Sequence, residues 1–471
     1  MIQLMIITAL VLLLSVFSSK LLYRFGIPTL LIFMGLGMLF GSDGIVGIQF
    51  DNYNFARDVC SFGLVFIMFY GGFGTNWNEA KPVAVKAVLM STIGVIITAL
   101  LTGIFCYFIL DTSLLEGLLI GSVLASTDAA SVFAVLRSRK LNLKNGLASL
   151  LEIESGSNDP ISYMLTISFL SFLTNPGGES LVQTLFIQIS IGLILGFIIA
   201  IVTAYTLSNI LFEIDGLYSI YTTAVVILAY SMTEYLGGNG YLAVYIVGIV
   251  VGNSKIRQKR NLVHFFDGIS WLMQIILFFT LGLLSFPSHF SNVAISGIFI
   301  AIFMIFVARP AATFSILSWF KIPIKQQLLV SWVGLRGAAS IVFAIYAVTS
   351  GGIMDNDIFH IVFIVALFSV SVQGSLIPFV AKKLDLVESN VSVLKTFNDY
   401  EDEALTQLME LEIQEGNPWI DKTIATAHIP KDILVVMIRR NEESIVPKGD
   451  TQILTDDILI LSGTNFDNIP C

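Results

Sequence analysis

The stretch LEIESGSNDPIS, residues 151–162, carries acidic side chains inside an otherwise apolar part of the chain. Its acids and amide are Glu152, Glu154, Asp159 and Asn158. A charged group at the centre of a membrane span costs roughly 2.5–3.5 kcal/mol on insertion scales, so such groups are kept for function or for internal pairing. This stretch is the first candidate site for ion or proton chemistry.

Helical spacing places these polar groups on two neighbouring faces. Ser155 and Asp159 are four residues apart, as are Glu154 and Asn158, so each pair shares a helix face. Pro160 cannot donate a backbone hydrogen bond, and we expect a distorted helix with a free carbonyl before it. Hydroxyl, carboxylate and carbonyl oxygens are the ligands that hard cations prefer.

Three further ionisable residues fall in apolar segments: Asp128 in SVLASTDAASVFAVL, Arg309 in FMIFVARPAATF and Arg336 in SWVGLRGAASIVF. Glu154 is expected to pair with Arg336 or Arg309 and to orient Asn158, which is a supporting role. The alternative for all of these groups is buried ion pairing that only fixes helix packing. Asp128 and Asp159 bring more acid than such pairing needs.

The composition indicates an integral membrane protein. The 471 residues are 55% hydrophobic and 13% charged, with a mean hydropathy of +0.85, whereas soluble domains are about 25% charged. Three scattered cysteines and four isolated histidines give no disulfide framework and no metal-ligand spacing. We expect no enzymatic activity, no cofactor and no nucleic-acid partner.

Apolar segments long enough to cross about 30 Å of hydrocarbon recur through residues 1–383. The thirteen predicted spans are 4–22, 28–41, 57–74, 83–109, 114–137, 147–174, 181–211, 217–235, 240–253, 263–285, 292–318, 326–349 and 357–381. If the N-terminus is outside, nearly all basic residues of the connections lie inside, with Arg57 as the exception. The C-terminus is then cytoplasmic.

The composition changes after Lys383. Residues 384–471 hold 17 of the 34 acids and six of the 25 basic residues, a net charge of −11, against +2 for the preceding part. This indicates a linker, 384–404, and a small α+β cytoplasmic domain, 405–471. DILVVMIRR and DDILILSG alternate like strands, and IVPKGDTQI is predicted to form strand, turn and strand.

One predicted strand of this domain carries a candidate ligand site. Ile433 and Val435 lie beside Arg439 and Arg440, a mixture suited to an aromatic base and a phosphate. Core packing by the two aliphatic residues and solvation of the two arginines would explain the pattern equally well.

Two short segments suggest internal symmetry. TDAASVFA (127–134) and RGAASIVFA (336–344) share Ala-Ala-Ser and are offset by 209 residues, about half of the membrane part. The predicted spans that hold them run in opposite directions. Inverted repeats of this kind place broken helices near the membrane midplane, around the ion site, and Gly334 and Gly337 favour a break in the second segment.

The motifs FYGGF, STDAAS, ESGSNDP, GYLAVYIVGIVVGN, ARP and GLRGA together resemble the bacterial monovalent cation:proton antiporter family, in the branch with an Asn-Asp pair. The resemblance covers nearly all of residues 1–383. It implies an all-α polytopic membrane protein of about thirteen transmembrane helices with inverted repeats, two discontinuous crossing helices and a homodimer.

By this resemblance, five residues bind the cation and proton: Asp159 as the essential carboxylate, Asp128 and Thr127 in the crossing helix, Ser155 as a ligand, and Asn158 as the amide of the pair. Many relatives have proline after Thr-Asp, where this chain has Ala129. That difference leaves the sharpness of the break in this helix open.

Residues 411–463 resemble the TrkA-C module of potassium regulators, which implies a dimeric ligand sensor. By resemblance, such modules on some bacterial potassium transporters bind cyclic di-AMP, the candidate regulatory ligand here. The linker is too short to hold a nucleotide-binding Rossmann half.

The expected mechanism is exchange of cytoplasmic K⁺ or Na⁺ for external protons. A buried Asp159 holds either a proton or a cation, and the amide at Asn158 removes a second titratable group, so one-for-one electroneutral exchange is expected. The sequence leaves K⁺ and Na⁺ open, although the tail favours K⁺. The alternatives are a gated cation channel, for which no Thr-Val-Gly-Tyr-Gly filter is present, and a sensor that does not transport.

Overall fold

The computed structural model of the chain divides into two compact units, Met1–Phe397 and Asn398–Cys471. It describes residues 2–23, 29–139, 141–175, 180–350, 356–388, 407–414, 417–427, 429–430, 433–440 and 443–463. Most of the expected linker and His428 lie outside the described residues. Each unit is considered by itself.

Helices make up most of the first unit. Its N-terminal half contains α1 (Ile2–Tyr23), α2 (Thr29–Phe40), α3 (Tyr53–Gly74), α4 (Trp77–Ala80), α5 (Ala84–Leu89), α6 (Val95–Leu110), α7 (Leu114–Leu124), α8 (Ala129–Ser138), α9 (Leu147–Thr174) and α10 (Leu181–Asn209). Its C-terminal half contains α11 (Gly216–Tyr235), α12 (Gly240–Asn253), α13 (Lys259–Leu284), α14 (Phe290–Phe303), α15 (Arg309–Leu317), α16 (Ile324–Trp332), α17 (Ala338–Thr349), α18 (Ile358–Phe368) and α19 (Ser375–Lys383).

Three π-helical turns join pairs of these helices into longer ones. Met90–Gly94 joins α5 to α6, Met304–Ala308 joins α14 to α15, and Ser369–Gly374 joins α18 to α19. Two short 3₁₀ turns, Pro287–His289 and Ser318–Phe320, flank the α14–α15 helix. Such π turns are frequent at functional sites, and the second one directly precedes Arg309.

Seven described helices are long and apolar enough to cross a membrane, judged by length and composition. They are Tyr53–Gly74, Ala84–Leu110, Leu181–Asn209, Gly216–Tyr235, Lys259–Leu284, Pro287–Phe320 and Ile358–Lys383. Every predicted span contains helix, but several of these helices are short or polar. The total of thirteen crossings therefore stays a prediction.

Two predicted spans are interrupted by non-helical backbone. The segment 114–137 breaks at residues 125–128, between α7 and α8, and the segment 326–349 breaks at residues 333–337, between α16 and α17. The first break forms although Ala129 replaces the proline of many relatives. In contrast, α9 continues through Pro160 without interruption, so the distortion expected there does not break the helix.

A two-stranded antiparallel ribbon ties two loops of the first unit together. Strand β1 (Asn142–Leu143) pairs with β2 (Val387–Glu388). The Lys144 ammonium lies 3.1 Å from the carboxylate of Asp385. The connection from α8 to α9 is thereby held against the segment that follows α19.

The second unit is a four-stranded antiparallel sheet. Its strands are β3 (Gln407–Glu412), β4 (Ile433–Arg440), β5 (Glu443–Ile445) and β6 (Ile458–Gly463), in the order β3-β6-β4-β5. Its described residues form strands and turns and contain no helix, so the predicted α+β class is corrected to β for this part. The second strand expected in IVPKGDTQI is only an isolated bridge between Gln452 and Thr423.

The predicted ligand residues of this unit have other roles. Ile433 and Val435 are buried in its core with Leu459 and Leu461. The guanidinium of Arg440 donates two hydrogen bonds of 2.7 Å to the fully buried carboxylate of Asp457, and these bonds raise the pKa of Arg440. Ile433 and Val435 are buried and Arg440 is paired with Asp457, so these three side chains stabilise the fold.

Arg439 is exposed, as the sequence allowed, and lies 3.6 Å from the carboxylate of Glu410. The outer face of β4 also presents Leu434 and Val436, which are exposed. A bulge between Val435 and Met437 shifts the alternation of the strand, and the shift turns Arg439 outward and Arg440 toward Asp457.

Candidate functional site

The candidate site lies where the two broken segments meet α9. The backbone N–H of Asp128 in the first break donates to the carbonyl of Leu335 in the second, at 2.8 Å. Non-helical backbone at membrane depth is tolerated only where other groups satisfy its peptide bonds. This bond joins the two breaks directly.

Helix α9 holds the first break through Thr127. The Ser155 hydroxyl donates to the Thr127 carbonyl at 2.7 Å, and the Thr127 N–H donates to Oδ1 of Asn158 at 3.3 Å. The Nδ2 of Asn158 also donates to the Thr127 hydroxyl. Three of the predicted site residues are thus brought together, and the described bonds of Asn158 go to Thr127 and not to Glu154.

Arg336 satisfies the carbonyl end of α7. Its Nη1 donates to the carbonyls of Ala125 and Ser126, each at 2.8 Å, and its own N–H donates to the Ser369 hydroxyl at 3.1 Å. A cation at a helix C-terminus is favoured by the helix dipole. Arg336 therefore stabilises the break and is not the partner of Glu154.

Glu154 pairs with Arg309. Two guanidinium nitrogens lie 2.6 Å and 2.7 Å from its two carboxylate oxygens. Both side chains are almost fully buried, 1% and 3% exposed. Of the two arginines that the sequence left open, the structure selects Arg309, and the contact from Nη2 to Oε2 is a charge-assisted hydrogen bond, which is stronger than a neutral one.

Two glycines of the second break allow its close packing. A Cβ at Gly337 would lie 2.4 Å from Cβ of Asp128, and a Cβ at Gly334 would lie 2.7 Å from Nε of Arg309. Both distances are too short for any larger residue. The GLRG sequence is therefore required for contact with the first break and with the buried ion pair.

Asp159 and Asp128 face this junction with hydroxyl partners. The Ser126 hydroxyl donates to Asp159, and the Ser131 hydroxyl donates to Asp128. The two carboxylates are close enough for their charges to interact. In the described part of the chain, no basic side chain forms an ion pair with Asp159, so this carboxylate can accept a proton or a cation.

Sequence reasoning missed several groups at the junction. Ser126 and Ser131 flank the predicted Thr127-Asp128 pair, and the position of these hydroxyls on either side of that pair is the signal that could have identified them. Asn239 donates to the carbonyl of Pro160 at 2.7 Å. Tyr245 lies directly over Gly156, and neither residue could be placed without the fold.

A second ionisable cluster lies away from the junction. The Nδ1 atoms of His360 and His289 lie 2.6 Å and 3.4 Å from Oδ2 of Asp357. Nε2 of His360 accepts a hydrogen bond from the N–H of Phe286 at 3.0 Å, so its proton resides on Nδ1. His289 and His360 lie far apart in the sequence but close together in the fold. Both ring nitrogens of His360 are already hydrogen-bonded, however, which argues against a metal site here.

Two broken helices that meet beside an unpaired acid define a class of membrane ion transporter. The sodium/proton antiporter MjNhaP1 of Methanocaldococcus jannaschii at pH 8 has a similar fold, with a TM-score of 0.72 and 25% identity over 82% of this chain and 99% of that one. Residues 6–383 match the family described as sodium/hydrogen exchanger, transmembrane, and residues 408–465 match the TrkA-C domain.

Curated relatives match almost the whole chain. A K⁺/H⁺ antiporter NhaP2 of Shewanella baltica is 34% identical over 97% of this chain and 80% of its own length, and the K⁺/H⁺ antiporter NhaP of Alkalimonas amylolytica is 32% identical over 95% and 79%. A Na⁺/H⁺ antiporter NhaH of Halobacillus aidingensis is 28% identical over 63% and 75%. This chain belongs to the sodium/hydrogen exchanger family.

The family and the TrkA-C module expected from the sequence are thereby confirmed, as is the class of cation/proton antiporter. The protein is a multi-pass membrane transporter.

Replacement of Arg309 by Ala tests the buried ion pair. It leaves the Glu154 carboxylate buried without a partner, which should cost about 3–5 kcal/mol of stability. The amount of monodisperse protein in detergent and its melting temperature should both fall. The half-exposed Arg57 is the matched control, and its replacement by Ala should cost less than about 1 kcal/mol.

The double variant Glu154→Leu/Arg309→Met removes both charges and should recover most of the lost stability. Equal instability of the single and double variants would contradict the pairing argument.

Proposed function

We propose that this protein exchanges K⁺ or Na⁺ for protons across the bacterial inner membrane, with Asp159 as the carboxylate that carries either ion. The observation that carries the proposal is the position of Asp159 at the junction of the two breaks, bonded by Ser126 and without an ion-pair partner among the described residues. Thr127, Ser155 and Asp128 supply further oxygens beside it.

The exchange follows from competition at one group. A carboxylate in a poorly solvated site is costly when charged and unpaired, so it is occupied by either a proton or a cation. Proton binding on one face releases the cation, and cation binding on the other face releases the proton. The two fluxes are coupled because the empty, charged state is disfavoured.

One-for-one exchange is supported by the charges at the junction. The junction contains three acids, Glu154, Asp159 and Asp128, and two arginines, Arg309 and Arg336. One proton or one monovalent cation makes this set neutral. Asn158 adds hydrogen-bonding capacity and no charge, which favours electroneutral transport.

K⁺ is the proposed physiological cation. The relatives that align with nearly the whole chain are described as K⁺/H⁺ antiporters, and the tail matches TrkA-C. A Na⁺/H⁺ antiporter is the alternative, because the shorter match and the similar solved structure carry that description.

The proposed architecture has thirteen crossings, an outside N-terminus, a cytoplasmic C-terminus and a homodimeric assembly. Inverted repeats are supported by the contact between equivalent positions: Asp128 and Gly337, 209 residues apart, pack against each other. The proposed domains are a transporter, 1–383, a linker, 384–404, and a regulatory domain, 405–471.

The regulatory domain is proposed to bind cyclic di-AMP and to alter transport. The exposed Leu434, Val436 and Arg439 on the outer face of β4 offer apolar area for a base and a cation for a phosphate. This face replaces Ile433, Val435 and Arg440 as the ligand surface.

Asp159→Asn should reduce exchange to the level of empty proteoliposomes, because the group that alternates between proton and cation is lost. The measurement is cation-driven proton movement, read by dequenching of a pH dye with K⁺, Na⁺, Li⁺ or Rb⁺ added in turn. Asp267, a carboxylate on α13 that accepts a hydrogen bond from the Tyr70 hydroxyl, is the matched control, and Asp267→Asn should retain activity. Normal exchange by Asp159→Asn would rule out the assignment.

Electroneutral exchange should be insensitive to membrane voltage. Proteoliposomes clamped at different potentials with valinomycin should show the same initial rate of Na⁺-driven proton movement. A rate that scales with the clamped potential would contradict one-for-one exchange and would mean that net charge moves.

Arg439→Gln should weaken binding of cyclic di-AMP to the full-length protein, because the exposed cation is removed without disturbing the Arg440–Asp457 pair. Calorimetry measures the affinity, and the melting temperature should stay unchanged. The nucleotide should alter the exchange rate of the full chain and not of a chain that ends at Phe397, the last residue of the first unit. Absence of binding to the unmodified protein would exclude this ligand.

A further inference from the structure

A second acidic group lies one helical turn beyond Asp159. Tyr163 follows Asp159 by four residues on α9, so both side chains share a face and their Cα atoms are ~6 Å apart along the axis. The Tyr163 hydroxyl lies 3.3 Å from Oε2 of Glu234, in the last turn of α11. Along one face of α9, Asp159 is therefore followed by the Tyr163 hydroxyl, which contacts the Glu234 carboxylate of α11.

Among the described residues, Glu234 has no positively charged side chain as a partner. None of the basic side chains in the described ranges forms an ion pair with it, and its Oε1 accepts only the N–H of Gly240, at 2.9 Å, at the beginning of α12. The side chain is only partly exposed. An unpaired carboxylate in a poorly solvated position is costly and is expected to attract a cation.

Capping of α12 offsets only part of the charge. The Asn239 side chain already accepts the N–H of Leu242 at 3.0 Å, as an N-cap residue does. The N-terminus of α12 favours the Glu234 carboxylate, but its dipole is equivalent to only about half an elementary positive charge. About half of the negative charge of Glu234 is therefore left for another cation to balance.

The surroundings of Glu234 are rich in hydroxyl oxygens. The rings of Tyr163, Tyr230, Tyr241 and Tyr346 pack together, with centroids 4.8 Å apart for Tyr163 and Tyr241, 5.5 Å for Tyr163 and Tyr346, and 5.1 Å for Tyr230 and Tyr241. Hydroxyl and carboxylate oxygens are suitable ligands for a partly dehydrated alkali cation.

The position of Glu234 also fits a route to the outside. The short connections from α9 to α10 and from α11 to α12 place the end of α9, the end of α11 and the start of α12 on one side of the first unit. The proposed topology assigns this side to the outside. Glu234 is partly exposed there, while Tyr163 is buried between it and the turn that bears Asp159.

We propose that Glu234 and Tyr163 form an outer site for a monovalent alkali cation, which the ion occupies between the external solution and Asp159. This inference rests on the proposed antiport through Asp159 and on the proposed outside N-terminus. The outer site raises the local concentration of the cation and supplies oxygens while water is removed.

The test measures cation affinity separately at each face. Right-side-out and everted vesicles from the same cells present the outer and the cytoplasmic face, and half-saturating K⁺ and Na⁺ concentrations for proton movement are determined in both. Glu234→Gln keeps the acceptor for Gly240 and removes the charge. It should raise the half-saturating concentration at the outer face about tenfold, equivalent to about 1.4 kcal/mol, and leave the cytoplasmic value within about twofold.

Three further variants define the result. Tyr163→Phe should give a smaller increase with the same sidedness, and it keeps the test valid if Glu234→Gln is poorly produced. Asp58, an exposed carboxylate at the same side next to Arg57, is the matched control, and Asp58→Asn should change neither value. Asp159→Asn should be inactive in both orientations, and activity there would refute the proposed function instead of the outer site.

An unchanged outer affinity in Glu234→Gln, or an equal change at both faces, would overturn the outer site. Equal changes would assign Glu234 to the support of α12.

Discussion

The whole arrangement depends on satisfying the peptide groups of two broken helices inside an apolar protein. Backbone N–H and C=O groups that leave a helix at membrane depth must find other partners. The Arg336 guanidinium donates hydrogen bonds to two carbonyls at the end of α7. Side chains of α9 form hydrogen bonds with the backbone and the hydroxyl of Thr127. The side chains that make the breaks stable are therefore the same ones that place oxygen ligands beside Asp159.

The second requirement is that the other buried charges balance without an arginine neutralising Asp159, the proposed ion-binding acid. Arg309 is paired with Glu154 through two short contacts between buried groups, and Arg336 donates hydrogen bonds to carbonyl oxygens. Neither arginine forms an ion pair with Asp159. If Arg336 turned to Asp159 instead, the end of α7 would lose its donors and the acid would no longer need an exchangeable ion. The two arginines thus compensate groups that hold the fold together, and Asp159 keeps its charge for the proposed transport.

Much of this could be predicted from the sequence, because the cost of charge in a membrane and the turn residues are local properties. The acids of residues 151–162 and the glycines of GLRG indicated the site and one break. The choice of Arg309 over Arg336 could not be predicted, since both arginines lie in apolar segments and their partners depend on how distant helices pack. In the structure, Arg309 packs against Gly334 and reaches Glu154, whereas Arg336 reaches the carbonyls at the end of α7. In the tail, strict alternation would face Arg439 inward. The bulge in β4 reverses this, and a bulge leaves no clear mark in the sequence.

Ser126 connects the occupant of Asp159 to the geometry of the crossing. Its hydroxyl donates to Asp159, and its carbonyl accepts from Arg336, which belongs to the other break. When a proton replaces a cation on Asp159, the carboxyl becomes a donor as well as an acceptor, and the preferred orientation of the Ser126 hydroxyl changes. Because Ser126 lies in the non-helical segment 125–128, that change acts on the backbone where the two breaks touch. In the proposed exchange, the occupant of Asp159 is therefore coupled to the crossing point through Ser126, and the helices on either side can carry a small displacement away from it.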